Sequence, residues 1–180
     1  MSKSKSYSIF IVILYKNLRR ILYLEQMKFD LTIIICATDC IKAYKVCKNV
    51  EETSHAKCQF FIHDNTKDNF PIAKVYNMYA RIAKANIILF VHQDVKFIGD
   101  TWFDNIKKKF NDKTCGAIGY AGSVYRPKDF FAGWPINQKL SRCNYIQCKE
   151  DNVVFSATKK FEEVVNLDGL AIFTTNKCAN

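Results

Sequence analysis

Three short, largely apolar runs, each ending in polar or acidic residues, set the strongest limit on how this chain can fold. Residues 31–36 (LTIIIC), 57–63 (KCQFFIH) and 86–91 (NIILFV) are rich in β-branched and aromatic side chains and too short to be helices. Runs without regular apolar–polar alternation mark strands buried on both faces. Residues 40–54 between the first two runs have helical character. Beyond the polar turn at 64–69, Pro71 suits the first turn of a second helix. Ile72, Val75, Tyr76, Tyr79, Ile82 and Ala83 then recur at helical spacing and give that helix one apolar face. Asp100 predicts the N-cap of a third helix, with Trp102, Phe103, Ile106 and Phe110 facing inward. Residues 115–120 (CGAIGY) read as a fourth strand. Strands alternating with helices predict an α/β fold, a mostly parallel sheet flanked by helices with right-handed crossovers.

In such sheets ligands bind beyond the carboxyl ends of the strands. That rule selects residues 37–39, 63–68 and 92–94, each carrying polar or acidic side chains just after an apolar run. Beyond residue 121 the regularity fades. Residues 121–138 read as a long aromatic loop, and an apolar pattern resumes over 164–175, interrupted by Asp168 and Gly169.

Charge narrows the partners. The chain carries a formal +10, but residues 1–28 hold six basic side chains and one acidic, leaving only +5 over the other 152 residues. That mild excess suits an anionic diphosphate. It lacks the Arg–aromatic interleaving of a nucleic-acid surface, so nucleic acid stays an alternative that would act through the N-terminal arm. The apolar run at 7–15 is about half of what spans a bilayer. Flanked by Lys3, Lys5, Lys16, Arg19 and Arg20, it reads as a short helix, an extension, or an anchor at a membrane surface. The expected organisation is a basic extension over 1–28 and one domain over 29–180. None of the eight cysteines is spaced as CxxC, so a zinc site is unsupported. Free thiols in a reducing, cytoplasmic setting are expected.

The tips of the runs carry the candidate chemistry. Asp94 could supply the carboxylate that a hard divalent cation takes alongside substrate phosphates. His92 could be a second ligand or a donor to phosphate. Equally, Asp94 could cap the next turn and His92 could simply end a strand. Asp64 could accept hydrogen bonds from a ribose or base, or make an Asx-turn with its own backbone. Asp168 could touch an acceptor hydroxyl, with Gly169 allowing close approach, or the pair could form a hairpin turn. Lys107, Lys108 and Lys109 read as a solvated helix face, and His55 as a surface residue.

Four segments in order, LTIIICATD, FFIHDNTKDN, YNMYARIAKANIILFVHQDVKF and VVNLDGLAIFTTNK, resemble the GT-A glycosyltransferases, in particular those similar to family 2. The third is the most specific, because order and spacing persist over some twenty residues. The resemblance implies a Rossmann-like nucleotide-diphospho-sugar transferase fold and metal-dependent, inverting sugar transfer from a UDP- or GDP-sugar to a glycan, lipid or protein acceptor. It implies that Ala37, Thr38 and Asp39 lie by the base and that Asp64 and Asn65 contact the nucleoside. His92 and Gln93 would meet the donor. Asp94, the last position of an acidic triplet whose first acid is here His92, would bind Mn²⁺ or Mg²⁺, with His92 beside it. Asp168, Gly169 and Trp134 would line the acceptor pocket. The family's catalytic base is expected beyond Asn180, so a truncated or inactive nucleotide-sugar-binding remnant is the alternative to an active enzyme.

Overall fold

The structure is a computed structural model and describes residues 28–125, 140–149, 152–157 and 161–179. The three expected buried strands form as β1 (Leu31–Ala37), β2 (Cys58–Asp64) and β3 (Ile87–Val91). Between β1 and β2 runs α1 (Cys40–Ser54). Its stop is a left-handed His55, φ 53°, a conformation that ends a helix. The expected polar turn at 64–69 is instead a one-turn helix, α2 (Asn65–Asp68), capped by Asp64. α3 (Ile72–Ala80) follows, with Pro71 at its N-cap position rather than within its first turn. α3 stops before Ile82, which is half-exposed, as is Ile72. Val75 and Ala80 are its buried residues, with Tyr76 and Tyr79 packed alongside.

The next helix, α4 (Trp102–Lys109), starts at Thr101, so Asp100 is not its cap; no side chain caps it. Phe103 and Ile106 are buried as expected, and Trp102 and Phe110 pack against the core. The remaining elements are β4 (Ala117–Gly119), β5 (Ala121–Ser123), β6 (Ser141–Lys149), β7 (Asn152–Ala157), β8 (Asn166–Leu167), β9 (Ala171–Thr175) and α5 (Asn176–Ala179). β5 therefore replaces the start of the expected aromatic loop. Of the expected basic extension over 1–28, only Lys28 lies within the described residues. Trp134 also lies outside them. No helix among the described residues is long and apolar enough to cross a membrane.

The main sheet has the order β2-β1-β3-β9-β4. β1 pairs in parallel with β2 and β3, but β9 runs antiparallel to both β3 and β4. The expectation of a mostly parallel sheet is thus corrected to a mixed one. The reason is the route of the chain: β9 is entered from a tight turn at 168–170 lying at the edge where β3 ends, so it must run back. That turn is not a hairpin within one sheet. β8 belongs to a second, antiparallel sheet of order β7-β6-β5-β8, and Asp168 and Gly169 carry the chain from one sheet to the other.

Helices α1 and α4 cover one face of the main sheet and α3 the other. Leu31, Ile33, Ile35, Val46, Val50, Leu89, Phe103 and Phe173 build the larger core, and Ile34, Phe61, Ala80 and Ile88 the smaller. Even and odd positions of β1 thus enter different cores, which is why its apolar run does not alternate. The one polar side chain of that run, Thr32, is fully buried. Its hydroxyl donates to Gln59 Oε1 at 2.9 Å and accepts from the Ala85 N–H at 3.2 Å.

Candidate functional site

The register brings the sequence-selected tips to one edge. Ala37 stands opposite Asp64, and Val91 opposite Ala171. Because β9 is antiparallel, the turn before it reaches the edge where β1, β2 and β3 end. The His92 N–H donates to Leu170 O at 3.1 Å, and His92 Nε2 lies 3.6 Å from where a Cβ on Gly169 would sit. The chain steps from β1 outward to β2 on one side, then back past β1 to β3 on the other. The switch point, where α/β sheets open a crevice, therefore lies between the tips of β1 and β3.

Gln93 bridges that switch point. Its Oε1 accepts the Thr38 and Asp39 N–H groups at 2.8 and 2.9 Å, and its Nε2 donates to Thr38 Oγ1 at 3.1 Å. Asp39 is committed to α1: its Oδ1 accepts from Ile41 N and Lys42 N, both at 3.0 Å. The Lys42 N–H above all, helped by Ile41 N–H and the Lys42 ammonium, holds this carboxyl below its ordinary range. Asp64 caps α2, accepting from Thr66 Oγ1 at 2.6 Å and Thr66 N at 3.0 Å. The Thr66 hydroxyl is the main cause of its lowered pKa. Asn65 closes the next loop with both ends of its amide, donating to Phe70 O at 2.9 Å and accepting Phe70 N–H at 2.8 Å. Asp168 Oδ1 accepts the Leu170 N–H at 2.9 Å.

Asp94 differs from these. Its side chain is exposed and makes no hydrogen bond or ion pair among the described residues. The backbone around it is fixed on both sides. Gln93 anchors one, and on the other Phe97, 5 % exposed, is clamped by Asn49 of α1: Phe97 N–H donates to Asn49 Oδ1 at 2.6 Å and Asn49 Nδ2 to Phe97 O at 3.2 Å. Sequence reasoning missed Asn49. The signal was there, a lone amide beside Val46, Cys47 and Val50 on the buried stripe of a helix.

No closed metal cage is present among the described residues: no group of three His, Cys, Asp or Glu side chains converges. Asp94 and His92, both exposed, offer one carboxylate and one imidazole at the end of β3, donor types that Mg²⁺ or Mn²⁺ can take alongside phosphates and water. The described cysteines are all free. A cleft of about 1000 Å³, lined by Trp102, Lys109, Tyr120, Arg142 and Phe161 among others, lies between α4, β4 and the second sheet. None of the residues at 37–39, 64–65 or 92–94 lines it, so the candidate site is the open strand edge and not this cleft.

A family model described as "Glycosyltransferase like family" matches residues 32–178. No curated protein matches the sequence. Among solved structures, the mannosyltransferase PcManGT from Pyrobaculum calidifontis, in complex with GDP-Man and Mn²⁺, is similar at 16% identity and a TM-score of 0.41. The match covers 59% of this chain and 38% of that one.

Proposed function

Since this chain belongs to the glycosyltransferase-like family, with a GT-A-like fold related to family 2, we propose that its strand edge binds a nucleotide sugar and transfers the sugar to an acceptor. The observation that carries the reading is the contrast among the carboxylates at the strand tips. Asp39, Asp64 and Asp168 accept from backbone N–H groups, whereas Asp94 is exposed, makes no hydrogen bond or ion pair among the described residues and sits between two anchored neighbours.

In this reading Asp94 and His92 hold Mn²⁺ or Mg²⁺. When bound, that cation offsets the charge that develops on the departing nucleoside diphosphate. Ala37, Thr38 and Asp39 face the base. Gln93 keeps that loop in place, and its amide is already occupied in doing so. Asp64 and Asn65 face the nucleoside of a UDP- or GDP-sugar. Asp168 and Gly169 border the acceptor, beside His92. Positioning of two reactants on one rigid edge accounts for a large part of such catalysis.

The test is to incubate the full chain with UDP- and GDP-sugars, with Mn²⁺ or with chelator, and follow release of nucleoside diphosphate. Metal-dependent release is expected. Binding of the donor without release would reduce the protein to a binding module, and absence of both would defeat the reading.

A further inference from the structure

We propose that the edge of the main sheet opposite the candidate site is a docking surface for an anionic lipid bilayer. The docking rests on charge and exposure at that edge. Only its consequence, that the donor site then faces solution, rests on the donor-site reading.

The register defines the edge. Leu31, Cys58 and Ile87 open β1, β2 and β3 side by side, and Thr175 ends β9 beside Ile87. The candidate site lies at the other ends of these strands, about 20 Å away along β1. Lys28 leads into β1 and Lys57 into β2, where the Lys57 N–H donates to Asp30 Oδ2 at 2.9 Å. The turn after α3 carries Arg81 and Lys84. It is closed by the Ile82 N–H on Tyr79 O at 3.2 Å and the Ala83 N–H on Ala80 O at 3.1 Å. The Lys84 N–H donates to Gln59 Oε1 at 2.9 Å, which sets this turn beside β2. α5 adds Lys177, because the Asn176 N–H donates to Asn86 O at 2.8 Å and its Nδ2 to Ala83 O at 3.0 Å. Lys28, Lys57, Arg81, Lys84 and Lys177 are all exposed.

Little opposes these five charges. From residue 69 to residue 93, and from 176 to 180, the sequence holds no Asp or Glu. The acid among them, Asp30, accepts the Lys57 N–H. On the α4 side Lys107 and Lys109 pair with Asp104 and Asp112 at 2.7 and 2.9 Å, so the excess lies on the α3 side. The candidate-site edge has the other sign. Residues 37–42, 64–68, 92–94 and 168–170 hold Asp39, Asp64, Asp68, Asp94 and Asp168 against Lys42 and Lys67. The two poles stand about two Debye lengths apart at physiological salt, so each acts as a separate patch.

Charge alone suits any polyanion, and exposed apolar side chains select the bilayer. Met78 and Ile82, 41 % and 51 % exposed, stand about one turn apart at the end of α3, with Arg81 between them and Lys84 just beyond. Such a face sinks its apolar side chains to the boundary of headgroups and acyl chains while its cations meet lipid phosphates. No aromatic side chain within residues 28–30, 78–86 or 176–179 is exposed, so the patch offers nothing on which a base would stack. The chain before Lys28 joins at this edge, and residues 1–27 carry five basic side chains and one acidic around the apolar run at 7–15. Docked this way, the protein turns the acidic edge away from the lipid, toward a soluble donor.

The test is co-sedimentation of the full chain with phosphatidylcholine vesicles, with and without phosphatidylserine. Binding is expected only with phosphatidylserine and should weaken as salt shortens the Debye length. Arg81→Gln with Lys177→Gln should lower it about tenfold, the scale of two basic residues at an anionic surface. Lys42→Gln with Lys67→Gln removes the same charge from the other edge and should leave it unchanged. Ile82→Ser, which alters no charge, should weaken binding without changing its salt dependence. Melting temperatures should match the parent's throughout, since every substituted side chain is exposed. Equal losses in the two double variants, or binding indifferent to phosphatidylserine, would overturn the proposal. So would tighter retention of duplex DNA or single-stranded RNA than of vesicles, abolished by Arg81→Gln with Lys177→Gln, which would assign the edge to nucleic acid. No nucleotide enters the vesicle measurement, so failure to bind UDP or GDP would defeat the donor-site reading and leave the docking standing.

Discussion

Gln93 and Asp39 are joined across 54 residues of sequence: Gln93 Oε1 accepts the Asp39 N–H at 2.9 Å, tying the tip of β3 to the start of α1. The same oxygen takes the Thr38 N–H at 2.8 Å, so one side chain holds the whole β1–α1 loop beside the switch point. Asp94 is the next residue along. The position of the free carboxylate is therefore set by hydrogen bonds made by its neighbour.

Removing that side chain should loosen the site before it harms the fold. Gln93→Ala leaves the Thr38 and Asp39 N–H groups without their acceptor, at a cost of about 1 kcal/mol for each bond lost. Gln93→Glu keeps the acceptor but not the donor to Thr38, and should lose less. Urea unfolding of the two variants, together with their affinity for UDP and GDP in Mn²⁺, checks this. A variant as stable as the parent with unchanged affinity would show that the clamp does nothing.

Acid should destabilise the protein partly through the caps. Asp39 and Asp64 have folded pKa values lowered by the N–H and O–H groups that donate to them. A lowered folded value means the contribution is complete above the unfolded value, about 3.9, and is lost as pH falls through the folded one. Thermal melting should therefore fall below about pH 4. In Asp39→Asn, which still caps α1 but cannot titrate, the decline should be shallower. Identical pH profiles would place the acid sensitivity elsewhere.

The second sheet has its own weak point. Gly122 of β5 sits between β6 and β8, and a Cβ there would come within 2.5 Å of Asn166 O and 3.1 Å of Val164 Cγ2. The first of these is backbone and cannot swing away. Gly122→Ala should cost about 1–3 kcal/mol by forcing β8 off β5. Denaturant melts and amide exchange at residues 164–167 give the readout. Unchanged protection there would mean that the two strands are not paired as described.

Thiol reactivity should divide the cysteines by burial. Burial pushes the Cys47 and Cys58 thiols up to about 12, so both stay protonated and inert near neutral pH. Cys40 and Cys178 are exposed. Mass-spectrometric mapping after brief alkylation of the native protein should find the exposed pair modified and Cys47 and Cys58 untouched. Early labelling of Cys47 would contradict the packing of α1 on the sheet.

Much of the sheet's parallel half was legible in the chain, because β1, β2 and β3 are buried on both faces and their apolar runs need no partner to be recognised. The antiparallel half was not. The direction of β9 depends on where Asp168 and Gly169 turn, and a two-residue β8 in another sheet leaves almost no pattern of its own. β6 carries Arg142 and Asn144 among its residues and lacks the apolar run that marked the other strands. At the site, residue types at the strand tips pointed to chemistry, but the sequence could not tell a carboxylate spent on capping from one left over. That distinction between Asp39 and Asp94 exists only once helix starts and the Gln93 bridge are in place. Asn49 was missed for the same reason, since its partner, Phe97, lies 48 residues away.

The measurement closest to the centre of this account is the Mn²⁺-dependent binding of UDP and GDP to the full chain and to Asp94→Asn, followed by calorimetry. The substitution keeps the shape and exposure of a side chain that makes no hydrogen bond or ion pair among the described residues, so the melting temperature should not move. Mn²⁺-dependent affinity should fall by at least about tenfold, the loss of roughly 1.4 kcal/mol expected when a cation loses a carboxylate ligand. Equal affinity in the parent and Asp94→Asn, with metal dependence intact, would mean that this carboxylate holds no cation.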